Sequence, residues 1–354
     1  MKKLRTGTKA ALALCLVLLL AAGVLGWRIA VLGRLFPGME EARRWQGESE
    51  TPFTQLTVFI PANETLTQSQ VVSFRYTMLS AFQAAALEGR ENLFEDAWST
   101  RGTLTVSSDA GSADMAVTAV GGAYFSFHPL ARLSGTYLTE GDIGKTRILL
   151  NREAAWRLFG GTELAGLTVT VQDQLFEVAG VVDREDDRFT DKVCDRDMEV
   201  YLPYEAWVAL TGEDRVDCYE VVMPQPVEDF AQGVAEKDFP VVSAVTVTAT
   251  DRFSLKNLLA LRRERSERLV QSSAVAYPYW ENARRIAEDR GSALALWLVL
   301  CLCPVALGAL ALLALALRRG KRRIAEKLPL LRDALAEKIR VRQRRRWERK
   351  NGKG

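Results

Sequence analysis

Histidine is almost absent from this chain of 354 residues, which contains only His128. A single imidazole excludes zinc sites built on a pair of histidines, and it leaves any Ser/His nucleophile arrangement resting on one side chain. His128 stands between Phe127 and Pro129, where a packed structural role is expected. We therefore predict no catalytic residue, no metal site and no cofactor. A hydrolase acting through paired carboxylates stays open, although no spacing of acidic residues supports it.

Cysteine is also scarce, with five in the chain. Cys15, Cys301 and Cys303 lie in apolar runs, and no histidine stands near them to favour a metal site. Cys194 and Cys218 lie between those runs. A disulfide between these two would close a loop and stabilise the fold by ~3 kcal/mol. Two free buried thiols are the equal alternative.

A complete nucleotide-binding motif is missing. Gly144, Lys145 and Thr146 imitate the end of a P-loop, but Thr139 occupies the position of its first glycine. A strand is expected directly afterwards, where a P-loop requires a helix. The three residues therefore indicate an exposed turn.

The acidic stretch from Asp183 to Glu199 lacks the spacing of a calcium-binding EF-hand. Basic side chains alternate with the acidic ones at Arg184, Arg188, Lys192 and Arg196. This mixture favours a solvated loop over a cation site.

Long apolar runs occur twice. Residues 10–32 contain Arg28 as their only charge, and residues 292–317 contain no charge. Each run is long enough to cross the hydrocarbon core of a bilayer as a helix. A cleaved signal peptide is the less favoured interpretation of the first run, because its apolar stretch is longer than a signal core of ~7–15 residues.

Charge is distributed very unevenly around these runs. Residues 1–9 carry a net charge of +4 and residues 318–354 carry +12, whereas the whole chain carries +3, which leaves −13 for the middle. Basic residues that flank a span are retained on the cytoplasmic side. We therefore expect a protein of the plasma (inner) membrane with both termini cytoplasmic and residues 33–291 extracytoplasmic.

The basic tail over residues 318–354 combines charge with a helical apolar face. Its face consists of Leu328, Leu331, Leu335 and Ile339, and the cluster before it consists of Arg318, Arg319, Lys321, Arg322 and Arg323. This pattern predicts an amphipathic helix that lies on the anionic inner leaflet. Docking to a cytoplasmic partner is the alternative, and no nucleic acid is expected because the span tethers the tail to the membrane.

Between the spans, apolar patterns separated by turn residues predict an α+β domain. Pro37, Gly38 and the charges from Glu40 to Glu50 indicate an exposed linker. Helices are predicted at Gln68 to Leu87, Asn151 to Phe159 and Val227 to Glu236. The first has Thr67 as its cap and is expected to pack on a sheet through its apolar residues Val71, Val72, Phe74, Met78, Leu79 and Phe82. Strands are predicted at Leu56 to Ile60, Thr103 to Val106, Met115 to Val120, Ile148 to Leu150, Leu167 to Val171, Leu175 to Val182, Met198 to Leu202, Tyr219 to Met223 and Val241 to Val247. The charged stretch over about 254–291, broken at Pro278, predicts a helical stalk.

Several segments in the middle of the chain carry the motifs of one known family. The motifs are Ala119 to Phe125 followed by Pro129 to Asp142, Ile148 to Gly161 with its Leu-Phe-Gly ending, the hairpin of Gly166 to Val171 and Phe176 to Val182, and Tyr201-Leu202-Pro203. Together they resemble the extracytoplasmic core domain of MacB/FtsX-type ABC transporter permeases. The likeness is strong over residues 119–204 and weaker over 56–118.

The resemblance implies an extracytoplasmic MacB-like core domain between two transmembrane helices, in a bacterial envelope protein. Permeases of this family continue through two further spans that dimerise and couple to an ATPase, whereas here the basic tail follows the second span. We therefore expect a non-catalytic subunit of a transport, efflux or mechanotransmission complex. Its expected partners are membrane lipid, a fuller permease and a cytoplasmic ABC ATPase. A stand-alone envelope sensor or scaffold is the alternative hypothesis.

Overall fold

The computed structural model describes residues 6–87, 93–142, 146–193, 197–269 and 275–351. The chain divides into two compact units. Residues Arg28–Ala295 form the first, which is called the folded domain below. Residues Met1–Trp27 and Leu296–Gly354 form the second, which is called the helical unit.

Ten helices occur within the described ranges. They are α1 (Thr6–Arg34), α2 (Glu41–Gln46), α3 (Gln68–Ala84), α4 (Tyr124–Phe127), α5 (Arg152–Phe159), α6 (Thr190–Val193), α7 (Tyr204–Thr211), α8 (Phe230–Asp238), α9 (Leu255–Leu269) and α10 (Tyr279–Asn351). Short 3₁₀ turns are found at Pro37–Met39 and Glu140–Asp142.

Ten strands occur in the same described ranges. They are β1 (Phe53–Phe59), β2 (Glu95–Ser108), β3 (Gly111–Gly122), β4 (Ala131–Gly135), β5 (Arg147–Asn151), β6 (Thr168–Val171), β7 (Gln174–Asp183), β8 (Glu199–Pro203), β9 (Cys218–Pro224) and β10 (Val245–Thr248). With the helices, they confirm the predicted α+β class.

The strands form one mixed sheet in the order β10-β1-β9-β2-β3-β8-β5-β7-β4. Strand β6 pairs with both β2 and β7, so β2, β3, β8, β5, β7 and β6 form a closed ring. The pairs β3–β8 and β5–β7 are parallel, and the other pairs are antiparallel. Ring closure gives these six strands neighbours on both sides and so limits exposed edges.

The largest hydrophobic core of the folded domain joins the sheet to α3, α5, α7 and α8. Phe74 and Phe82 of α3 and Tyr219 of β9 are among its fully buried side chains. A second cluster includes Phe127, Leu149 and Tyr201. Burial of apolar surface on this scale is the main contribution that stabilises such a domain.

Local signals in the sequence set several element boundaries as predicted. Thr67 and Gln70 form a capping box at the start of α3. The Asn151 side chain accepts a hydrogen bond from the Ala154 amide at 2.8 Å, and Gly160 ends α5 in the left-handed conformation. These contacts confirm the predicted starts of both helices.

The segment predicted as an exposed linker is folded. Helix α2 lies within it, and Gly38, Glu41 and Ala42 are buried. Arg44 forms an ion pair with Glu41 and donates a hydrogen bond to the Ser126 carbonyl oxygen at 2.8 Å. The linker prediction was therefore wrong around α2, where Glu41 and Arg44 pair and Arg44 contacts the rest of the domain. Glu40, Arg43, Glu48 and Glu50 are exposed, as predicted.

Helix α3 has two apolar faces, where the sequence suggested one. Val71, Phe74, Met78 and Phe82 are buried against the sheet. Val72, Tyr76 and Leu79 are exposed, so the placing of Val72 and Leu79 in the core was wrong. The spacing 71, 74, 78 and 82 follows one helical stripe, and the exposed residues lie beside it.

The predicted stalk consists of two helices. Helix α9 covers its first part, and α10 begins at Tyr279, directly after Pro278. The break at Pro278 is therefore confirmed. The rigidity of a stalk stays a prediction.

Two helices among the described residues are long and apolar enough to cross a membrane. The segments are Ala10–Arg34 and Tyr279–Lys321. Leu16 and Leu313, one from each apolar run, are 60% and 56% exposed. Such side chains are compatible with contact with lipid.

Candidate functional site: charged side chains buried against helix α10

The first turns of α10 carry two glutamates that meet one arginine. Arg252, which follows β10, lies between Glu281 and Glu288 of α10, and the three side chains are at most 6% exposed. Its Nη1 donates to Glu281 Oε2 at 2.7 Å, and its Nε donates to Glu288 Oε1 at 2.6 Å. The glutamates are seven residues apart and therefore face the same side of the helix.

The electrostatics of this cluster favour the charged arginine. Burial opposes the charge of Arg252, but the Glu281 and Glu288 carboxylates outweigh it and raise the pKa of Arg252 above its ordinary value. Arg285 adds a second cation, with its Nε 2.8 Å from Glu281 Oε1. The segment after β10 is thus held to α10 by paired charges that water does not reach.

A second buried polar contact lies between β9 and the segment after α4. His128 Nε2 is 2.5 Å from Glu220 Oε2, and Thr57 of β1 donates to Glu220 Oε1 at 3.4 Å. The imidazole lies 4.6 Å from the ring of Trp280, centroid to centroid. The histidine thus contacts the sheet on one side and α10 on the other.

Arg284 of α10 is 3% exposed and lacks part of its hydrogen bonding. Its Cζ lies 4.5 Å from the centroid of the Trp280 ring, at a distance typical of a cation–π contact. Within the described residues, its Nε and Nη1 have no hydrogen-bond partner. A Cβ at Gly38 would lie 2.9 Å from Arg284 Nη2, so the turn Pro37–Met39 is pressed closely onto this side chain.

Apolar contacts surround these charges. Leu32 and Phe36, at and after the end of α1, share a buried cluster with Phe189, Ala283 and Ala287. The end of α1 and the first turns of α10 therefore pack together inside the folded domain.

Chemically, the arrangement provides paired charges and tight packing. No group of three or more His, Cys, Asp or Glu side chains is placed to hold a metal ion in the part of the chain that the structure describes. The paired charges fix α10 to the sheet, because moving either partner would leave a buried ion unpaired.

The predicted cysteine pair is only half described. Cys218 in β9 is buried, and burial raises the pKa of its thiol. Cys194 lies outside the described residues, as do Gly144 and Lys145 of the apparent P-loop. The disulfide stays a prediction.

The predicted tail helix is part of α10, which continues to Asn351. Arg318, Arg319, Lys321, Leu335 and Ile339 are exposed. The side chains of Arg322, Arg323, Leu328 and Leu331 lie outside the described set. Lipid or partner docking by this face stays a prediction.

The acidic stretch contributes to local structure. Asp187 accepts hydrogen bonds from the amides of Phe189 and Thr190 at the start of α6, and Asp183 pairs with Arg152. Asp195 lies outside the described residues. At Asp183 and Asp187, the carboxylates serve turn and ion-pair geometry.

The sequence analysis missed the buried ion-pair cluster. Arg252 is separated from Glu281 and Glu288 by 29 and 36 residues, so no local pattern connects them. The available signal was the seven-residue spacing of the two glutamates on a predicted helix.

Comparison with known proteins identifies the family. The profile of the MacB-like periplasmic core domain matches residues 54–260, which is more than half of the chain. The chain therefore belongs to the MacB-like periplasmic core domain family, as the motifs suggested. None of the curated proteins matches it.

Three solved structures show weaker similarity to this chain. The periplasmic region of MacB from Actinobacillus actinomycetemcomitans is 17% identical, with 55% of this chain and 88% of that chain covered and a TM-score of 0.41. The extracellular domain of the noncanonic ABC-type transporter YknZ from Gram-positive bacteria is 16% identical, with 55% and 99% covered and a TM-score of 0.38. A domain of a putative permease protein from Porphyromonas gingivalis is 12% identical, with 57% and 91% covered and a TM-score of 0.33.

The family gives the general class of the protein. Its core domain belongs to ABC transporter permease systems, which work with ATPase partners, and it is a transporter component rather than a catalytic domain. With two apolar helices, the chain has the features of a membrane protein with an extracytoplasmic segment.

Proposed function

We propose that this chain is a non-catalytic, permease-like subunit of an ABC-type envelope complex for transport, efflux or mechanotransmission. Residues 10–32 and 292–317 span the inner membrane, residues 33–291 lie outside and both termini are cytoplasmic. The distribution of basic residues around the spans supports this orientation.

The observation that carries the proposal is the Arg252 cluster. Helix α10 contains both the buried Glu281 and Glu288 and the apolar run of the second span. A shift of α10 by one helical turn would remove both glutamates from Arg252 and leave buried charges unpaired, at a cost of about 3–5 kcal/mol. Movement of α10 is therefore coupled to movement of the sheet.

Two spanning helices are too few to enclose a path through the bilayer, since the exposed apolar faces need lipid or other helices around them. The proposed partners are a fuller permease subunit, a cytoplasmic ABC ATPase and membrane lipid. The exposed basic segment from Arg318 is proposed to meet the inner leaflet or the ATPase.

The test is copurification of the full chain from its native membranes in gentle detergent after crosslinking. We expect a permease and an ATPase to be recovered with it, and ATPase activity to change when residues 318–354 are deleted. Recovery of neither partner would contradict the proposal. Loss of a signalling output on tail deletion, with unchanged ATPase activity, would favour the sensor hypothesis.

A further inference from the structure

A cavity of about 680 Å³ opens in the folded domain, away from the Arg252 cluster. Four partly exposed aromatic side chains line it: Trp45, Phe94, Phe125 and Tyr137. The rings of Phe125 and Tyr137 are stacked, with their centroids 5.1 Å apart. This volume and lining suit a small organic ligand.

Arg75, the one cation that the described residues contribute to the lining, is already paired. Its Nε and Nη2 donate to the two carboxylate oxygens of Asp96 at 2.8 and 2.6 Å, and Tyr219 donates to the same carboxylate. Such a bidentate pair is among the stronger charge-assisted contacts. The other charged residues in the described part of the lining are Glu95 and Glu140, so this part of the wall carries a net negative charge.

Glu95 has an acceptor atom that the described part of the protein does not satisfy. Its Oε2 is buried and has no hydrogen-bond partner among the described residues. Its carboxyl group is hydrogen-bonded to that of Glu41, and Arg44 pairs with Glu41 rather than with Glu95. The Glu95 carboxyl group therefore has no cation paired with it among the described residues.

The surroundings of Glu95 favour the arrival of a positive charge. Burial, followed by the charge of Glu41, raises the pKa of Glu95 to about 7, and Asp96 and Glu140 act in the same direction. A bound cation would offset this repulsion. Aromatic faces attract weakly hydrated organic cations as well as the apolar groups attached to them.

We propose that this cavity binds a small organic ammonium ion, with its positive charge attracted to the Glu95 carboxyl group and its apolar substituents against Trp45, Phe125 and Tyr137. An anion is disfavoured because Asp96 occupies the guanidinium of Arg75. The proposal is independent of the proposed partners, because every residue it uses belongs to this chain.

The test uses the full chain in an uncharged detergent and two soluble probes of similar size. Benzyltrimethylammonium carries a permanent positive charge, and phenylmethanesulfonate carries a negative one. Calorimetric titration is expected to show binding of the ammonium and no competition by the sulfonate. Equal binding of the two probes would overturn the proposal.

Two variants with matched controls locate the binding. Glu95→Gln should weaken ammonium binding about tenfold, and Trp45→Ala about fivefold. Glu213→Gln and Trp156→Ala change exposed residues outside the cavity lining and should leave affinity within about twofold. Near-UV circular dichroism checks folding of each variant. Unchanged affinity in folded Glu95→Gln would refute the site.

The pH dependence is a separate measure of Glu95. Among the described residues, the charged groups around it are Glu41 and Arg44 on α2, Asp96 on its own strand, Arg75 on α3 and Glu140 on the 3₁₀ turn. Since the probe keeps its charge, affinity should rise as the pH passes upward through about 7, and Glu95→Gln should remove this rise. An affinity that stays constant from about pH 5.5 to 8.5 would also refute the proposal.

Discussion

Arg252 and Glu281 form a bidentate ion pair that is almost completely removed from solvent, with Nη1–Oε2 and Nη2–Oε1 distances of 2.7 and 3.0 Å. The arginine follows the last strand of the sheet, and the glutamate lies in the first turn of α10. The pair therefore joins the end of the sheet to the helix that contains the second long apolar run.

Replacement of Arg252 by methionine should strongly destabilise the folded domain. The change leaves Glu281 and Glu288 buried without their shared cation, and we expect the free energy of unfolding to fall by about 3–5 kcal/mol. Chemical denaturation of the full chain in detergent, followed by near-UV circular dichroism, measures the loss. The control is Arg215→Met, which breaks a half-exposed pair with Asp217 and should cost less than about 1 kcal/mol. Equal losses in both variants would contradict the assigned role of Arg252.

Gly38→Ala should disturb the packing of the turn Pro37–Met39 on α10. The new Cβ would lie 2.1 Å from the Phe127 carbonyl oxygen and 2.9 Å from Arg284 Nη2. Such overlap forces the backbone to move, and we expect the free energy of unfolding to fall by about 1–3 kcal/mol or more. Gly161→Ala, where a Cβ meets nothing within 4 Å, is the control and should leave the melting temperature nearly unchanged. A Gly38→Ala protein as stable as the control would show that this close approach is absent.

Glu95 should make stability depend on pH between about 4.5 and 7. Burial and the charge of Glu41 raise its pKa from 4.5 to about 7, so the folded state holds the proton more tightly than the unfolded state. Stability from this group is therefore complete below pH 4.5 and lost as the pH rises to 7. Because Glu95 is only partly buried, solvent screening reduces the expected total to about 1–2 kcal/mol. Denaturation at pH 5 and pH 8 measures the effect.

The Glu95→Gln variant is the matched control for this pH dependence. It should be less sensitive over the same range, although the raised pKa of Glu41 leaves a residual dependence of the same sign. Identical pH profiles for the two proteins would exclude Glu95 as the source.

The proposed membrane orientation can be tested with single cysteines in a background whose five native cysteines are replaced by alanine. Asp109→Cys, at the exposed turn between β2 and β3, should react with an impermeant maleimide on protoplasts. Arg340→Cys, on the exposed part of the tail helix, should react only after permeabilisation. The reverse pattern would contradict the orientation inferred from the basic flanks.

The sequence was sufficient to predict where a helix or strand begins or ends when a few adjacent residues determine that boundary. Thr67 and Gln70 begin α3, and the pair Gln172 and Asp173, both with positive φ, forms the two-residue turn of the predicted β6–β7 hairpin. The family motifs over residues 119–204 also consist of such short-range cap and turn signals. The match of the family profile to residues 54–260 confirms the resemblance based on them.

The sequence was insufficient to predict contacts between residues that lie far apart in the chain. The charges of Glu41 and Arg44 indicated an exposed linker, because nothing nearby showed that they would pair and pack against the domain. The aromatic cavity likewise combines Trp45, Phe94, Phe125 and Tyr137 from separate segments. Tertiary packing, rather than local propensity, brings these residues together.

The closed ring of strands has a consequence for hydrogen exchange. Strand β2 pairs with β3 from Ala97 to Ser108, with β9 from Glu95 to Ser99 and with β6 at Val106 and Ser107. The hydrogen bonds of its amides can break only when several strands separate together. Hydrogen exchange of these amides should therefore report global unfolding. The outer strands β10 and β4, each with one paired neighbour among the described strands, should exchange through smaller local openings. The slowest-exchanging amides of the chain should therefore lie in the long hairpin of β2 and β3.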